Sequence, residues 1–440
     1  MRVHTTQALR ALLIGALMAP SALFAANLGA IYDLARDNDA QFAAARAAAL
    51  AGREKAVQGR AQLLPSVNIT GNARQNRDHS SAYSGGRDYT SGALTLAAVQ
   101  PLVRPANREA ARQGELQAQL AQEQLRLSEQ ELMLRVARGY FEVLQAEDVL
   151  ATVRAQKEAF GAQLAQARRG LEVGTVPITD VNEAQSRTDL TAAQEIAALN
   201  ELEVKRRTLE KSIARSLPAL ARLDPAASID VLSPEQQRAL AERAGNDSLQ
   251  VRAATTTREI AMRERDRQAA GAWPTLDLVA SAGETRNASY GAFGGTTTRQ
   301  ATIGLEFAMP LYQGGAIDSR AREAAANLTR AEQELENSKR QALLDARQAW
   351  LGVQSGSAMV VALRQAQRSG ESQVQSTRRG LEVGVRNRVD VLNAEQQLYA
   401  TRRDLAAARY QSLLAGLQLK SAAGQLGEAD LRSLDALLKE

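Results

Sequence analysis

The chain of 440 residues contains no cysteine and only two histidines, His4 and His79. Without cysteine there is no disulfide, no zinc–thiolate site, no thiol nucleophile and no amino-terminal cysteine to carry a lipid anchor. With only two histidines, the chain has few imidazole groups that could serve as a catalytic acid or base. Metal-ligand spacings, nucleophile motifs and phosphate-binding loops are missing from the sequence as well, so it predicts neither an enzyme nor a bound cofactor.

Aromatic residues make up only 4% of the chain, and its 30 glycines and 10 prolines fall in clusters. Alanine, leucine, glutamine, glutamate and arginine dominate, which is typical of long helices and coiled coils. The formal net charge is +5, but arginine and glutamate are interleaved and form no basic block. That pattern indicates solvated helix faces and argues against a nucleic-acid partner.

Residues 1–26 have the pattern of a secretory signal peptide. Two arginines precede an apolar region at 11–18, and Ala25 and Ala26 are small residues at the expected cleavage end. The alternative is a transmembrane anchor, but the apolar run is short and Pro20 interrupts it. Since no other run is long enough to cross a bilayer as a helix, membrane insertion would require a closed β-barrel, in which all backbone groups are paired.

An internal duplication organises the rest of the chain. The heptapeptide RRGLEVG occurs at 168–174 and again at 378–384, and Asp180 recurs as Asp390 at the same offset of 210. A constant offset along the chain predicts two copies of one structural unit. The predicted parts are repeat 1 (27–216), a linker in an equatorial region (217–233), repeat 2 (234–426) and a carboxy-terminal equatorial segment (427–440).

Each repeat has the same predicted order of elements: an Ala-rich helical segment, a β-hairpin, a long helix and a return helix. A Leu-Pro or Trp-Pro pair ends the first helical segment, because the residue before proline avoids the helical conformation. Apolar–polar alternation then predicts strands of about ten residues, the length of a tilted strand that crosses a bilayer. An ordinary soluble hairpin would give the same local pattern. The predicted ranges are 28–64, 66–99, 106–169 and 178–216 in repeat 1, and 234–270, 275–309, 316–379 and 389–425 in repeat 2.

The two long predicted helices have 64 residues each and would extend for about 95 Å. In the first of them, apolar residues recur at steps near seven in two stripes, which indicates coiled-coil packing against neighbours on both sides, as in a ring of helices. A bundle core is the alternative. Each long helix and its return helix would form an αα-hairpin, with the tips near 170–178 and 380–388.

Four strands cannot close on themselves, and lipid does not tolerate open strand edges. A membrane sheet must therefore be shared between chains. Two chains would supply eight strands, and side chains would fill the interior of that barrel. Three chains would supply twelve strands, which leave an open lumen. The predicted fold class is mainly α with a membrane β part. Duplicated long α-helical hairpins form an α-barrel, and two β-hairpins contribute four strands to a shared twelve-stranded trimeric barrel.

The sequence resembles the TolC family of outer-membrane efflux and type I secretion channels. The resemblance rests on stretches that keep the order of the family along the chain: Leu63–Pro65, Val173–Val181, Ala272–Leu278, Pro310–Gly315, Val389–Leu392, Ala408–Tyr410 and Leu417–Leu426. It implies a homotrimer in the outer membrane of a Gram-negative cell, in contact with lipid and extending into the periplasm. Its implied partners are a periplasmic adaptor (membrane fusion) protein and an inner-membrane ABC or RND transporter. The lack of cysteine fits the non-lipidated branch, which serves type I protein secretion and multidrug efflux.

The resemblance also implies that polar links between hairpin tips close the periplasmic end. The matching positions are Thr179, Asp180 and Arg386, which we predict as the gate-link residues. An arginine–carboxylate contact is directional, but one exposed pair contributes only about 0–1 kcal/mol, so three copies would hold a gate that an adaptor can open. The aromatic link position of the family is Leu381 here, which predicts a weaker link.

Acidic rings in the pore are a further implication of the resemblance. Asp390 matches the first ring, and the second ring position is the neutral Asn393. Glu183, near the equivalent turn of repeat 1, is our candidate to compensate for it. Three copies of a lumen-facing carboxylate would favour cations. The alternative for each of these residues is a solvated charge or cap on a helix surface.

A periplasmic coiled-coil adaptor is the alternative function. Such a protein would carry one hairpin between split β-rich domains. This chain instead has two hairpin copies, each with its own pair of alternating segments, so the sequence favours the exit duct.

Overall fold

A computed structural model describes residues 25–79, 87–224, 227, 233–287 and 295–439. Most of the predicted signal peptide, at 1–24, and much of the predicted linker lie outside the described residues. The contacts within the chain divide it into two units. Unit 1 is made of Met1–Ala43, Glu129–Arg243 and Leu344–Glu440, and unit 2 of Ala44–Ser128 and Ala244–Leu343.

Helices and strands follow the same order in both halves of the chain. Repeat 1 contains α1 (Leu28–Asn38), α2 (Ala40–Ala61), β1 (Ser66–Asp78), β2 (Arg87–Val103), α3 (Pro105–Glu172) and α4 (Ile178–Ile213), and a short strand β3 (Arg222–Leu223) follows. Repeat 2 contains α5 (Pro234–Asp247), α6 (Leu249–Ala269), β4 (Thr275–Asn287), β5 (Thr296–Ala308), α7 (Ala316–Glu382) and α8 (Arg388–Ala422), and α9 (Glu428–Asp435) and β6 (Leu438–Lys439) follow. Within the described ranges, every helix lacks the combination of length and apolar character that a membrane-spanning helix requires.

The first helical segment of each repeat is two helices, not the single one that the sequence suggested. The chain leaves the helical conformation at Asp39 and at Ser248, which occupy equivalent positions in the two repeats. Asp39 then caps the next helix, because its carboxylate accepts the Phe42 N–H at 2.7 Å. The same carboxylate accepts a hydrogen bond from Arg135 of α3 at 3.1 Å. A short polar residue therefore lies at each break, and at Asp39 its side chain satisfies the start of the new helix.

The four longer strands form one antiparallel sheet in the order β1-β2-β4-β5. Their register brings the predicted apolar positions into common rows. One row across the four strands is Val67, Ala98, Ala280 and Ile303, and the next is Ile69, Leu96, Ala282 and Ala301. The neighbouring row on the opposite face is Asn68, Ala97, Ser281 and Thr302. One face is thus apolar across these two rows, and its larger side chains, such as Ile69 and Ile303, are exposed within the single chain.

Strand β2 ends in an irregular stretch around Pro101, where its pairing with β4 shifts register. Proline has no N–H for a ladder, so a bulge is where it is tolerated. The Gln100 amide donates to the Leu63 carbonyl at 3.0 Å, and Arg104 donates from Nε to the buried Asp277 carboxylate at 2.8 Å. These bonds fix the end of the sheet against the chain segments that enter and leave it.

Helices α2 and α3 approach closely within unit 2 because glycines face the contact. A Cβ placed on Gly114 would lie 2.4 Å from the Lys55 carbonyl oxygen, and one on Gly52 would lie 2.2 Å from the Cβ of Ala121. Neither distance is physically possible, so the backbones have come as near as the missing side chains allow. Steric exclusion alone makes both positions specific for glycine.

Helix α6 is joined to α3 by a polar group in the same unit. Glu264 accepts hydrogen bonds from Arg267 at 2.7 and 2.8 Å, from Gln268 at 2.6 Å and from Gln113 of α3 at 3.2 Å. The Arg267 guanidinium is the main cause that lowers the pKa of Glu264 to about 2, so this carboxylate is ionised at neutral pH.

Unit 1 has its core where α1, α3, α4 and α9 meet. Tyr140 is fully buried there, and its hydroxyl donates to the Ala221 carbonyl at 2.7 Å and lies 3.1 Å from the Ala26 carbonyl oxygen. Strands β3 and β6 pair with each other, and Arg36 of α1 bonds Glu428 of α9 at 2.7 Å. The described start of the segment between the repeats and the described segment after repeat 2 are therefore integral parts of unit 1.

Candidate gate at the hairpin tips

The two helical hairpins turn through the same local structure. Gly174 and Gly384 have φ of +75° and +79°, the left-handed conformation in which glycine stops a helix. The Gly170 carbonyl accepts the Thr175 N–H at 2.8 Å, and the equivalent carbonyl of Gly380 accepts the Val385 N–H at 2.9 Å. The duplicated glycines thus build the same turn twice.

Helices α3 and α7 end at Glu172 and Glu382, three residues beyond the ends that the glycine clusters suggested. The first glycine of each cluster, Gly170 or Gly380, does not stop the helix. Its role is steric, because a Cβ there would lie 2.5 Å from Val176 Cγ2 in repeat 1 and 2.7 Å from Arg386 Cγ in repeat 2. The missing side chain lets the turn fold back onto the helix.

The return helices begin with different caps. Helix α4 follows Pro177, whereas α8 begins with a capping box between Asn387 and Asp390. The Asp390 N–H donates to Asn387 Oδ1 at 2.8 Å, and the Asn387 N–H donates to Asp390 Oδ2 at 3.2 Å. Asp390, the predicted ring residue, is therefore also a capping residue of α8.

The predicted gate-link residues lie at these tips, and within one chain they do not contact one another. Thr179 is exposed in the first turn of α4. Asp180 Oδ2 lies 3.9 Å from Nε of Arg388, not beside Arg386. Arg386 instead lies near its own helix, with a guanidinium nitrogen 3.9 Å from Asp390 Oδ2.

Arg388 is a residue that the sequence reasoning missed. It is only 7% exposed, and besides Asp180 it contacts Gln163 of α3, whose Oε1 lies 3.4 Å from the guanidinium. It thus joins α8 to both helices of the first hairpin. The repeat alignment contained a signal, since the equivalent residue in repeat 1 is Ile178, and a charge at an apolar position of a duplicated motif indicates a new partner.

Glu183, the other predicted ring residue, is paired within its own helix. Its Oε1 accepts a hydrogen bond from Arg187 Nε at 2.8 Å. Arg187 also donates to Asn393 Oδ1 at 3.2 Å and to Gln396, both in α8. Arg187 was missed too, although it lies seven residues after Asp180 and therefore on the same face of α4.

An apolar cluster supports this polar face. Phe160 and Leu164 of α3, Ala184 of α4 and Leu392 of α8 are all buried in it, and Val181 packs against them. The two hairpins of one chain are in contact here, so apolar packing fixes the positions of the charged side chains of α4 and α8.

Residues 31–215 and 240–425 both match the family described as outer membrane efflux protein. The chain belongs to the outer membrane efflux protein family. Among its relatives is the outer membrane protein TolC of Vibrio cholerae serotype O1, at 33% identity over 421 residues and 95% of each chain. Another is the proteases secretion protein PrtF of Dickeya chrysanthemi, at 34% identity over 419 residues, which cover 92% of this chain and 89% of PrtF. The Campylobacter jejuni CmeC outer membrane channel has a similar fold, with a TM-score of 0.79 at 13% identity over 93% of this chain and 89% of CmeC.

As a member of the outer membrane efflux protein family, the chain is a TolC-like outer-membrane channel of the efflux and type I secretion class. Family membership implies a trimeric channel that works with an efflux system and has no enzymatic activity. The predicted family, localisation and functional class are confirmed, and the adaptor alternative is set aside. The predicted fold class is confirmed in its long helical hairpins and in the four-stranded sheet from two β-hairpins.

Proposed function

We propose that three copies of the chain form the passive exit duct of a tripartite export system and that the hairpin tips gate it. A periplasmic adaptor would dock the duct to an inner-membrane ABC or RND transporter, which supplies energy and selects the cargo. The relative PrtF is a proteases secretion protein, which supports protein cargo. Small molecules are the other class of cargo, because a passive tube carries whatever its transporter selects.

The sheet supports the trimer. Within one chain β1 and β5 are edge strands, and both carry large exposed apolar side chains, among them Val67, Ile69, Ile303 and Leu305. In water the exposed apolar face is unfavourable, and in lipid the open strand edges are unfavourable. A single chain is therefore unstable in either environment. Pairing of β5 of one copy with β1 of the next would remove the edges in a twelve-stranded barrel and turn the apolar face to lipid.

The exposed Arg386 carries the gate proposal. Its side chain is 63% exposed and lies 3.9 Å from its nearest carboxylate, Asp390. A guanidinium held so loosely can be shared with Thr179 and Asp180 of a neighbouring copy. Asp180 lies 3.9 Å from Nε of the buried Arg388, so the link would connect adjacent tips through a carboxylate that already has a cation near it.

Arg386→Ser is expected to raise the single-channel conductance of the purified trimer in planar bilayers, because it removes the link in three copies at once. Asp180→Ala should do the same, although it also leaves Arg388 without its carboxylate. A suitable control is Arg330→Ser, which removes an exposed α7 arginine paired only with Glu334 of its own helix. A parent protein that forms no conducting trimer would refute the exit duct. Parent-like conductance in both tip variants would remove these residues from the gate link.

Asp390→Asn is expected to weaken block of the pore by multivalent cations, because it removes three carboxylates from the proposed ring. Asparagine keeps an oxygen that can accept the Asn387 N–H, so the helix cap is retained. The concentration of a trivalent cation that halves the current is the quantity to measure. Equal block of variant and parent would show that Asp390 only caps α8.

A further inference from the structure

We infer that Arg187 sets the ionic selectivity of the constriction by cancelling the charge of Glu183. The inference rests on the proposed function, because it requires the tip faces of α4 and α8 to surround the pore. It also changes the expectation from sequence, in which Glu183 replaces the acid that is lost at Asn393.

The contacts of Arg187 fix the position of its charge. All three guanidinium nitrogens have a partner: Nε donates to Glu183 at 2.8 Å, one terminal nitrogen donates to Asn393 at 3.2 Å, and the other donates to Gln396. Glu183 belongs to α4, and both amides belong to α8. A planar fork bound on every side is held in one place, so this cation is a permanent part of the tip surface.

Both helices turn the relevant residues to one face. Asp180, Glu183 and Arg187 follow steps of three and four along α4, and Asp390 and Asn393 follow a step of three along α8. Arg187 bonds Asn393 directly, so the two faces meet. Because the Arg187 side chain is still 24% exposed, its charge acts on ions in the adjoining solvent.

Glu183, Arg187, Asn393 and Gln396 together form one level of the proposed constriction, and its net charge follows from these four side chains. Glu183 contributes one negative charge and Arg187 one positive charge, while Asn393 and Gln396 are neutral. The level is therefore neutral in each copy, and threefold symmetry preserves that balance. The level of Asp390, whose carboxylate lies 3.9 Å from the exposed Arg386, is then the remaining candidate for an acidic ring. The channel should therefore select cations less strongly than its count of tip carboxylates suggests.

The test is the reversal potential of single trimers in a potassium chloride gradient across planar bilayers. Arg187→Gln leaves Glu183 uncompensated in three copies, so the ratio of cation to anion permeability should rise several-fold. Arg187→Lys keeps the charge and should match the parent. The double variant Glu183→Gln/Arg187→Gln removes both charges and should also match the parent, although it has lost every bond that the guanidinium makes.

Two results would overturn the inference. One is a parent-like reversal potential in Arg187→Gln, and the other is an equal shift in Arg187→Lys, which would trace the effect to hydrogen-bond geometry. Asn393→Asp provides an independent variant if Arg187→Gln does not assemble, since it also gives this level one net negative charge per copy. A rise in cation selectivity supports the inference, and an unchanged value overturns it. Failure of the parent to conduct would instead refute the exit duct and with it this inference.

Discussion

Arginine in place of Ile303 is expected to abolish assembly in the outer membrane, whereas arginine in place of the adjacent Thr302 is expected to be tolerated. Ile303 is 76% exposed on the apolar face and lies near the middle of β5. An arginine on the lipid face at the bilayer midplane costs about 2–4 kcal/mol, and a trimer bears this cost in each copy. Thr302 lies on the opposite face, where its hydroxyl lies 2.7 Å from that of Ser281.

The measurement is the amount of heat-sensitive trimer in detergent extracts of outer-membrane fractions. Ile303→Arg should give little or none, and Thr302→Arg an amount close to that of the parent. The two positions are neighbours in one strand, so their backbone environments are similar. They differ mainly in the face of the sheet on which the side chain lies. Equal amounts from the two variants would contradict the assignment of the apolar face to lipid.

Alanine at Gly114 is expected to destabilise the protein, whereas alanine at Gly161 of the same helix is expected to stabilise it. The new Cβ at Gly114 would lie 2.4 Å from the Lys55 carbonyl oxygen, and a backbone atom cannot turn aside as a side chain can. Overpacking of this kind costs about 1–3 kcal/mol. A Cβ at Gly161 meets nothing within 4 Å, so the higher helix propensity of alanine should add up to about 1 kcal/mol to the free energy of unfolding.

Thermal unfolding of the detergent-solubilised trimer, followed by helical circular dichroism, compares the two variants with the parent. Gly114→Ala should unfold at a lower temperature than the parent and Gly161→Ala at the same or a higher one. The reverse order would show that the close approach of α2 and α3 does not contribute to stability.

The sheet was predictable from sequence because strand periodicity is a local property. Alternation places Leu278 and Ala280 on one face of β4, and Ile303 and Leu305 on one face of β5. The register then pairs Leu278 with Leu305 and Ala280 with Ile303. The tips were predictable as turns for a related reason. Glycine at 174 and 384 allows a positive φ that other residues rarely adopt, and the duplication repeats it.

The helix boundaries were less predictable. The sequence presents Asp39 and Ser248 as polar positions within continuous helices. The hydrogen bond from the Phe42 N–H to the Asp39 carboxylate shows why the chain breaks at Asp39. Gly170 and Gly380 appeared to be helix stops, but their function depends on a side chain that folds back from five or six residues later. Such effects require the turn to be formed before they can be seen.

In the candidate gate, the sequence could predict only the residues that match the family motif. Thr179, Asp180 and Arg386 were found because they match it, whereas Arg388 and Arg187 act through contacts between helices. The partner of Arg388 in α3, Gln163, is 225 residues away in the sequence. A single sequence offers no register between the two hairpins, so pairing across them could not be assigned in advance.

The composition of unit 1 has a consequence for biogenesis. It draws on three separated stretches of chain, and the last of them starts at Leu344, after all of unit 2 has been synthesised. Domains generally fold as units, and a polypeptide emerging from the ribosome or the translocon has all residues of unit 2 before it has those of unit 1. The core around Tyr140 must wait for α9, so each nascent chain passes through a stage in which the apolar surface of this core is still exposed.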